Sequence, residues 1–169
     1  MPDPVSGLFG RVVPLNGATL QVAASMSGDG RPRGSARFKG NDILTIQRLS
    51  AADFTTLQNP GFRSVQIVWP DNAPEARVTI TRVTMEPGAV SARHVHPASE
   101  QIWLIEQGCA QLLMDNDETD GLRSGDVVRT PAGTIHGVAN TGSERFVYLA
   151  VTTPPQDFTP AYHSRQPSG

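Results

Sequence analysis

The chain has a single cysteine, Cys109, in 169 residues. An intrachain disulfide is therefore excluded, and one free thiol is compatible with a reducing compartment. No histidine adjoins Cys109 in sequence, so a small buried side chain is expected there rather than a catalytic thiol. An excess of positive charge is also missing. The formal net charge is −2 and the pI is ≈ 6.0, which argues against nucleic acid and anionic membranes as partners. No apolar run approaches the ~20 residues of a membrane span. The opening Met1-Pro2-Asp3-Pro4 has neither a basic start nor a continuous apolar stretch, so no secretory signal is read and the cytoplasm is the expected location. Internal repeats, a phosphate-cradling glycine loop, a nucleophile elbow and paired catalytic carboxylates are all absent. A chain of 169 residues suits one domain with modest extensions and can bury a core without cross-links.

Histidine is scarce too, at four residues, but three of the four fall into two glycine-bracketed strings. The first runs from Gly88 to Gly108 and holds His94, His96, Glu100 and Gln101. The second reads Gly125-x5-Pro131-Ala132-Gly133-x2-His136-x3-Asn140. On a β-strand, His94 and His96 share a face. Two neutral imidazoles there can each give a nitrogen lone pair to a divalent metal. Glu100 or Gln101 offers an oxygen, and His136 brings a third imidazole. A pair of surface histidines on an exposed strand is the plainer alternative, and the clustering outweighs it.

The two strings together resemble the paired signature of the cupin superfamily. Its first signature has a Gly, five residues, His-x-His, three or four residues, Glu, six residues and Gly; its second has a Gly, five residues, Pro-x-Gly, two residues, His, three residues and Asn. The second string matches at Gly125, Pro131, Gly133, His136 and Asn140, and the first at Gly88, His94, His96 and Gly108. The resemblance covers roughly residues 75 to 155. It implies an all-β fold, a double-stranded β-helix or jelly-roll-like barrel, with an N-terminal extension and one short helix. It further implies one divalent transition metal (iron, manganese, nickel, zinc or copper) held by His94, His96, His136 and one of Glu100 and Gln101. A single barrel and a homodimer are the arrangement it suggests.

The chain departs from the family pattern at Glu100 and Gln101. Counting back six residues from Gly108 selects Gln101, whereas counting forward three or four from His96 allows either. Gln101 is favoured as the inward residue, with Glu100 facing out because strand neighbours point to opposite sides; a bulge would reverse this. A neutral amide would leave the ion its full charge, lowering metal affinity and raising affinity for an anionic substrate. Glu100, were it to turn inward, is the one candidate general acid or base.

Residues 1–40 read as an arm that packs on a partner subunit, with a hairpin at Asn16-Gly17 and a Gly/Ser-rich loop from Ser25 to Ser35. The barrel is placed at 41–160 and a tail at 161–169. Ile43 to Ile46 suggests a short strand. Ser50 and Asp53 resemble a capping box, predicting one or two helical turns from Ala51 to Gln58. Strands follow at Ser64 to Trp69 and Arg77 to Met85. Arg82 is a candidate clamp for a substrate carboxylate, with a surface arginine as the commoner reading. The apolar run from Gln101 to Gln107 suggests a strand buried on both sides. Trp103 shares the face of Gln101 and is placed in the pocket wall or the core. The acidic connector from Asp115 to Gly121 lacks the terminal Glu of a calcium loop. The Pro131 turn aims His136 at the pocket, and Asn140 is expected to hydrogen-bond backbone. A strand at Phe146 to Val151 is stopped by Pro154 and Pro155. Phe158, Pro160 and Tyr162 are placed across the barrel mouth or against a partner, and His163 at the surface.

Function is read as a metalloenzyme acting on a small organic molecule, anionic substrates included, with dioxygenase, isomerase or lyase chemistry. The alternative is a non-catalytic module that binds or senses a small ligand or metal. A structural protein with a closed metal site is a third possibility.

Overall fold

The computed structural model of the chain describes residues 46–167. They form eleven strands: β1 (Thr55–Asn59), β2 (Phe62–Val68), β3 (Thr79–Met85), β4 (Val90–His94), β5 (Glu100–Gln107), β6 (Cys109–Leu113), β7 (Thr119–Arg123), β8 (Val127–Thr130), β9 (His136–Ala139), β10 (Phe146–Thr153) and β11 (Ser164–Pro167). Helix among the described residues is limited to 3-10 turns of three residues. The fold is all-β. No described helix is long and apolar enough to cross a membrane.

The strands make two antiparallel sheets. The large one has the order β11-β1-β2-β3-β10-β5-β8, and the small one β4-β9-β6-β7. Alternation sets the inner face of the large sheet. Thr79, Thr81, Val83 and Met85 of β3 are buried, whereas Arg82 between them is exposed. The core joins both layers: Val83, Met85, Trp103, Ile105, Phe146 and Tyr148 from the large sheet meet Ala110, Leu122 and Val138 from the small one. Apolar faces of two sheets bury each other in this way because neither can be covered alone.

Tight turns join the strands, and Gly108 shows why some must be glycine. Its φ is +79°, and a Cβ there would lie 2.5 Å from the Arg145 carbonyl oxygen. Asn140 holds the β9–β10 turn by donating to the Met85 (3.1 Å) and Glu144 (2.9 Å) carbonyls, while its Oδ1 accepts from Gly142 N–H.

Four sequence expectations are corrected. The helix from Ala51 to Gln58 is a 3-10 turn at Ala51–Asp53 followed by β1. The Asp53 carboxylate does accept from the Ser50 N–H and hydroxyl, but that clasp steadies only one turn. Beyond it, β-branched Thr55 and Thr56 pair with β2, and pairing prevails over local helical preference. Strand β5 is not buried on both faces: Gln101, Trp103 and Ile105 are buried, but Leu104 is 41% exposed. Cys109 is exposed rather than buried, since it follows the Gly108 turn at the start of β6. Of the strand expected at Ile43 to Ile46, only Ile46 is described, and it is outside any strand and 96% exposed; residues 43–45 lie outside the described residues. The Asn16-Gly17 hairpin and the arm at 1–40 lie outside the described residues.

Candidate metal centre

The histidines converge through pairing of the two strings. Strands β4 and β9 are antiparallel neighbours in which His94 and His136 are direct partners. Gly137 permits the contact: a Cβ there would sit 2.6 Å from the Ser91 carbonyl oxygen, at the irregularity in β4. His96 lies just past the end of β4, so it is not placed by strand alternation. Its carbonyl accepts from Gly133 N–H at 2.9 Å. The Pro131-Ala132-Gly133 turn of the second string is thereby tied to the first.

The three rings are close. Their centroids lie 4.9 Å apart for His94 and His96, 4.6 Å for His94 and His136, and 5.2 Å for His96 and His136. One ring nitrogen from each lies within 4.8 Å of those of the others. His94 Nδ1 is 2.8 Å from the Ala92 carbonyl and His136 Nδ1 is 2.9 Å from the Thr134 carbonyl. A carbonyl can only accept, so each Nδ1 carries the proton and each Nε2 keeps its lone pair. Among the described residues, the Nε2 atoms of His96 and His136 are buried with no hydrogen-bond partner. A buried polar atom without a partner is costly, and a metal ion among the three rings would satisfy both.

Electrostatics favours the neutral, metal-competent form. Burial, reinforced by His94 and His136, lowers the pKa of His96 to about 4, against a weaker opposing hydrogen bond from Gln156. Burial also lowers the pKa of His136, partly countered by the Thr134 carbonyl. The residues present therefore fit a divalent transition metal: three imidazoles whose ring nitrogens lie within 4.8 Å of one another, two of them, His96 and His136, with burial favouring the neutral form.

Gln101 and Glu100 sit on opposite sides of β5. Gln101 is buried. Its Oε1 accepts from Trp103 Nε1–H at 3.0 Å, and its Nε2 donates to Thr152 Oγ1 at 3.1 Å. The Glu100 carboxylate pairs with Arg129 on the outer face. Arg82 is exposed and pairs with Glu106 at 2.6 Å, so it does not reach the cavity as a carboxylate clamp; Thr81 and Val83 line it instead.

A cavity of about 670 Å³ opens beside the histidines, lined by His94, His96, Gln101, Trp103 and Tyr148 among others. The segment after β10 closes part of it. Phe158, Pro160, Tyr162 and His163 line the mouth, and the Phe158 ring packs edge-on to His96 at 5.8 Å. His163 is exposed, and its N–H donates to Asn59 Oδ1. Two contributors were not legible in the sequence. Gln156 reaches His96 from a segment 60 residues downstream, and the need for glycine at 137 appears only once β4 and β9 are paired.

The cupin domain family (Cupin_2) matches residues 81–152. No curated protein matches the chain. Among solved structures, a conserved protein with a double-stranded β-helix domain from Klebsiella pneumoniae is similar at 20% identity, covering 74% of this chain and 99% of that one, with a TM-score of 0.55. A Cupin 2 conserved barrel domain protein from Salinispora arenicola is 28% identical over 66% of this chain and 90% of its own, with a TM-score of 0.50. A protein from Thermotoga maritima, named a predicted oxalate decarboxylase, is 20% identical over 64% of this chain and 99% of its own, with a TM-score of 0.55. The family match over residues 81–152, the two-sheet fold and both histidine strings together support a cupin-family protein.

Proposed function

We propose that this cupin is a metal-dependent enzyme acting on a small organic molecule, its ion held by His94, His96, His136 and Gln101. The observation that carries the reading is the pair of buried, unpartnered Nε2 atoms on His96 and His136 beside the third ring. A divalent ion there would supply a Lewis acid or a redox centre, the chemistry of isomerase, lyase or dioxygenase reactions. Gln101 keeps one Oε1 lone pair beyond the one taken by Trp103 Nε1–H. Trp103 and Phe158 wall the cavity with aromatic surface. The ligand set is neutral, so the ion would retain its full charge and favour an oxygen function that ionises on binding. The same reading includes a cytoplasmic homodimer, checked by gel filtration. The Thermotoga protein's name brings no substrate to this chain, since 20% identity supports the fold alone.

One observation favours the non-catalytic alternative. Among the described residues the cavity has one carboxylate, Asp157, and that group accepts from Thr159 N–H at 2.8 Å. Glu100 faces away, so no carboxylate stands ready as general acid or base.

Elemental analysis of protein purified without added metal tests the site. Wild type and Glu100→Ala are expected to carry a divalent ion. His136→Ala should lose it at least about tenfold, and Gln101→Ala should hold it more weakly. Full metal content in His136→Ala would sink the site. Unchanged content in Gln101→Ala, with loss in Glu100→Ala, would exchange the fourth ligand. Oxygen uptake and turnover with diketones, phenols and sugar acids then separate enzyme from binder.

A further inference from the structure

The chemistry of the cavity walls bears on which molecule enters. The floor is the inner face of the large sheet. Register places Thr81, Ala150 and Trp103 in one row across β3, β10 and β5, and Ser64, Val83 and Tyr148 in the next across β2, β3 and β10. With about 4.8 Å between strands, β2 to β5 spans roughly 14 Å. Polar groups gather at two ends. One end has the histidines, Gln101 and Gln156; the other has Ser64, hydrogen-bonded to Tyr162. Between them lie Val83, Ala150 and the rings of Trp103 and Tyr148, whose centroids are 5.0 Å apart, with Thr81 as the one hydroxyl in the row of Ala150 and Trp103.

Fixed positive charge is missing from these walls. Among the described residues there is no lysine. Every arginine from residue 48 to residue 145 is exposed, and none lines the cavity. Arg82, Arg93, Arg129 and Arg145 are held by Glu106, Asp117, Glu100 and Glu86.

We propose that the cavity takes a flat, largely apolar molecule, such as an aromatic one, with a single phenol, enol or β-dicarbonyl function and no other charge. This rests on the metal reading only at the oxygen end. There, among the described side chains, the ion would be the one fixed positive charge, so a group that is neutral in water and ionises on the ion is suited to it. A carboxylate or phosphate elsewhere on the molecule would be buried without a counter-charge, which burial penalises heavily. A polyhydroxylated chain would leave its hydroxyls unpaired against Val83, Ala150 and Trp103. A flat ring stacks on Trp103 and Tyr148, and a far hydroxyl or carbonyl meets Ser64 and Tyr162. The proposal therefore separates this protein from enzymes of sugar acids and sugar phosphates.

The test is calorimetric titration of zinc-loaded and metal-free protein with naphthol, benzoylacetone, gluconate and glucose phosphate. Both ring compounds are expected to bind zinc-loaded protein at least about tenfold more tightly than either polar anion. Phe158→Ala should weaken them about tenfold with its melting temperature unchanged, since its ring lies at the mouth. Gluconate or glucose phosphate binding as tightly as the ring compounds overturns the proposal, and so does ring-compound affinity weaker than about 1 mM. Failure of the metal reading looks different: elemental analysis finds no zinc taken up, while the order of ligand affinities stands.

Discussion

On strand β5, Gln101, Trp103 and Ile105 point into the molecule, while Glu100, Leu104 and Glu106 point out. The two faces use different chemistry on one backbone. Inward polar groups are neutral and held by neighbours within the sheet: Gln101 spans Trp103 and Thr152, and Gln66 donates to Ser64 at 2.9 Å. Outward groups are charged and paired across strands, Glu106 with Arg82 and Glu100 with Arg129. The difference shows where charge is tolerated. Inside, the one carboxylate among the described lining residues is Asp157, already engaged by Thr159 N–H, so little fixed charge competes with what a metal and its ligand would bring. Outside, water screens the pairs and each contributes little.

The largest effect expected from this contrast is on stability. Trp103 is 2% exposed and packs against Tyr148 and His136. Trp103→Ala should cost about 3–5 kcal/mol, and it removes the donor to Gln101. Leu104→Ala, one residue on, should cost under about 1 kcal/mol. Urea melts of the two variants check this. An equal cost at Leu104 would break the comparison, because the outer face would then have to be covered.

Acid should reach the inner face next. In the folded, metal-free protein His96 titrates at about 4, against 6.5 for the free side chain. The unfolded chain therefore takes up its proton first as pH falls. The stability of metal-free protein should be full above about pH 6.5 and decline progressively toward pH 4, with His136 acting in the same direction. At roughly 1.4 kcal/mol per unit, and allowing for partial solvent access to the ring, the loss is on the order of 2 kcal/mol. Thermal melts at stepped pH should show the slope in wild type and a shallower one in His96→Gln. A flat wild-type profile over that window would mean that the rings are hydrated in solution.

Much of this architecture was legible in the residue pattern. The alternation from Thr79 to Met85 marks β3, and the two strings mark the turns and rings that converge. Long-range effects account for what was not. Ser50 and Asp53 are a local helix signal, yet Thr55–Asn59 is claimed by strands on both sides, β2 and β11. The run Ile102-Trp103-Leu104-Ile105 reads as doubly buried, because composition cannot tell a covered outer face from an open one. Arg82 sits in a strand whose inner face lines the cavity, but strand parity turns it outward. Gln156 carries no local motif, and only the return of the chain past β10 brings it to His96.

The smallest expected effects test the outer face. The Arg82 and Glu106 side chains are 54% and 39% exposed. Arg82→Ala should change stability by no more than about 0.5–1 kcal/mol, and the double variant with Glu106→Ala should show a coupling of similar size that fades in high salt. Glu100→Ala belongs to the same class, since its partner Arg129 is also exposed. Ligand affinity is the more demanding readout. If the sheet separates its two chemistries, benzoylacetone binding to zinc-loaded protein is the same in Arg82→Ala as in wild type. A loss of affinity there would place the Arg82 guanidinium within reach of the ligand, and the outer face would then contribute charge to the inner one.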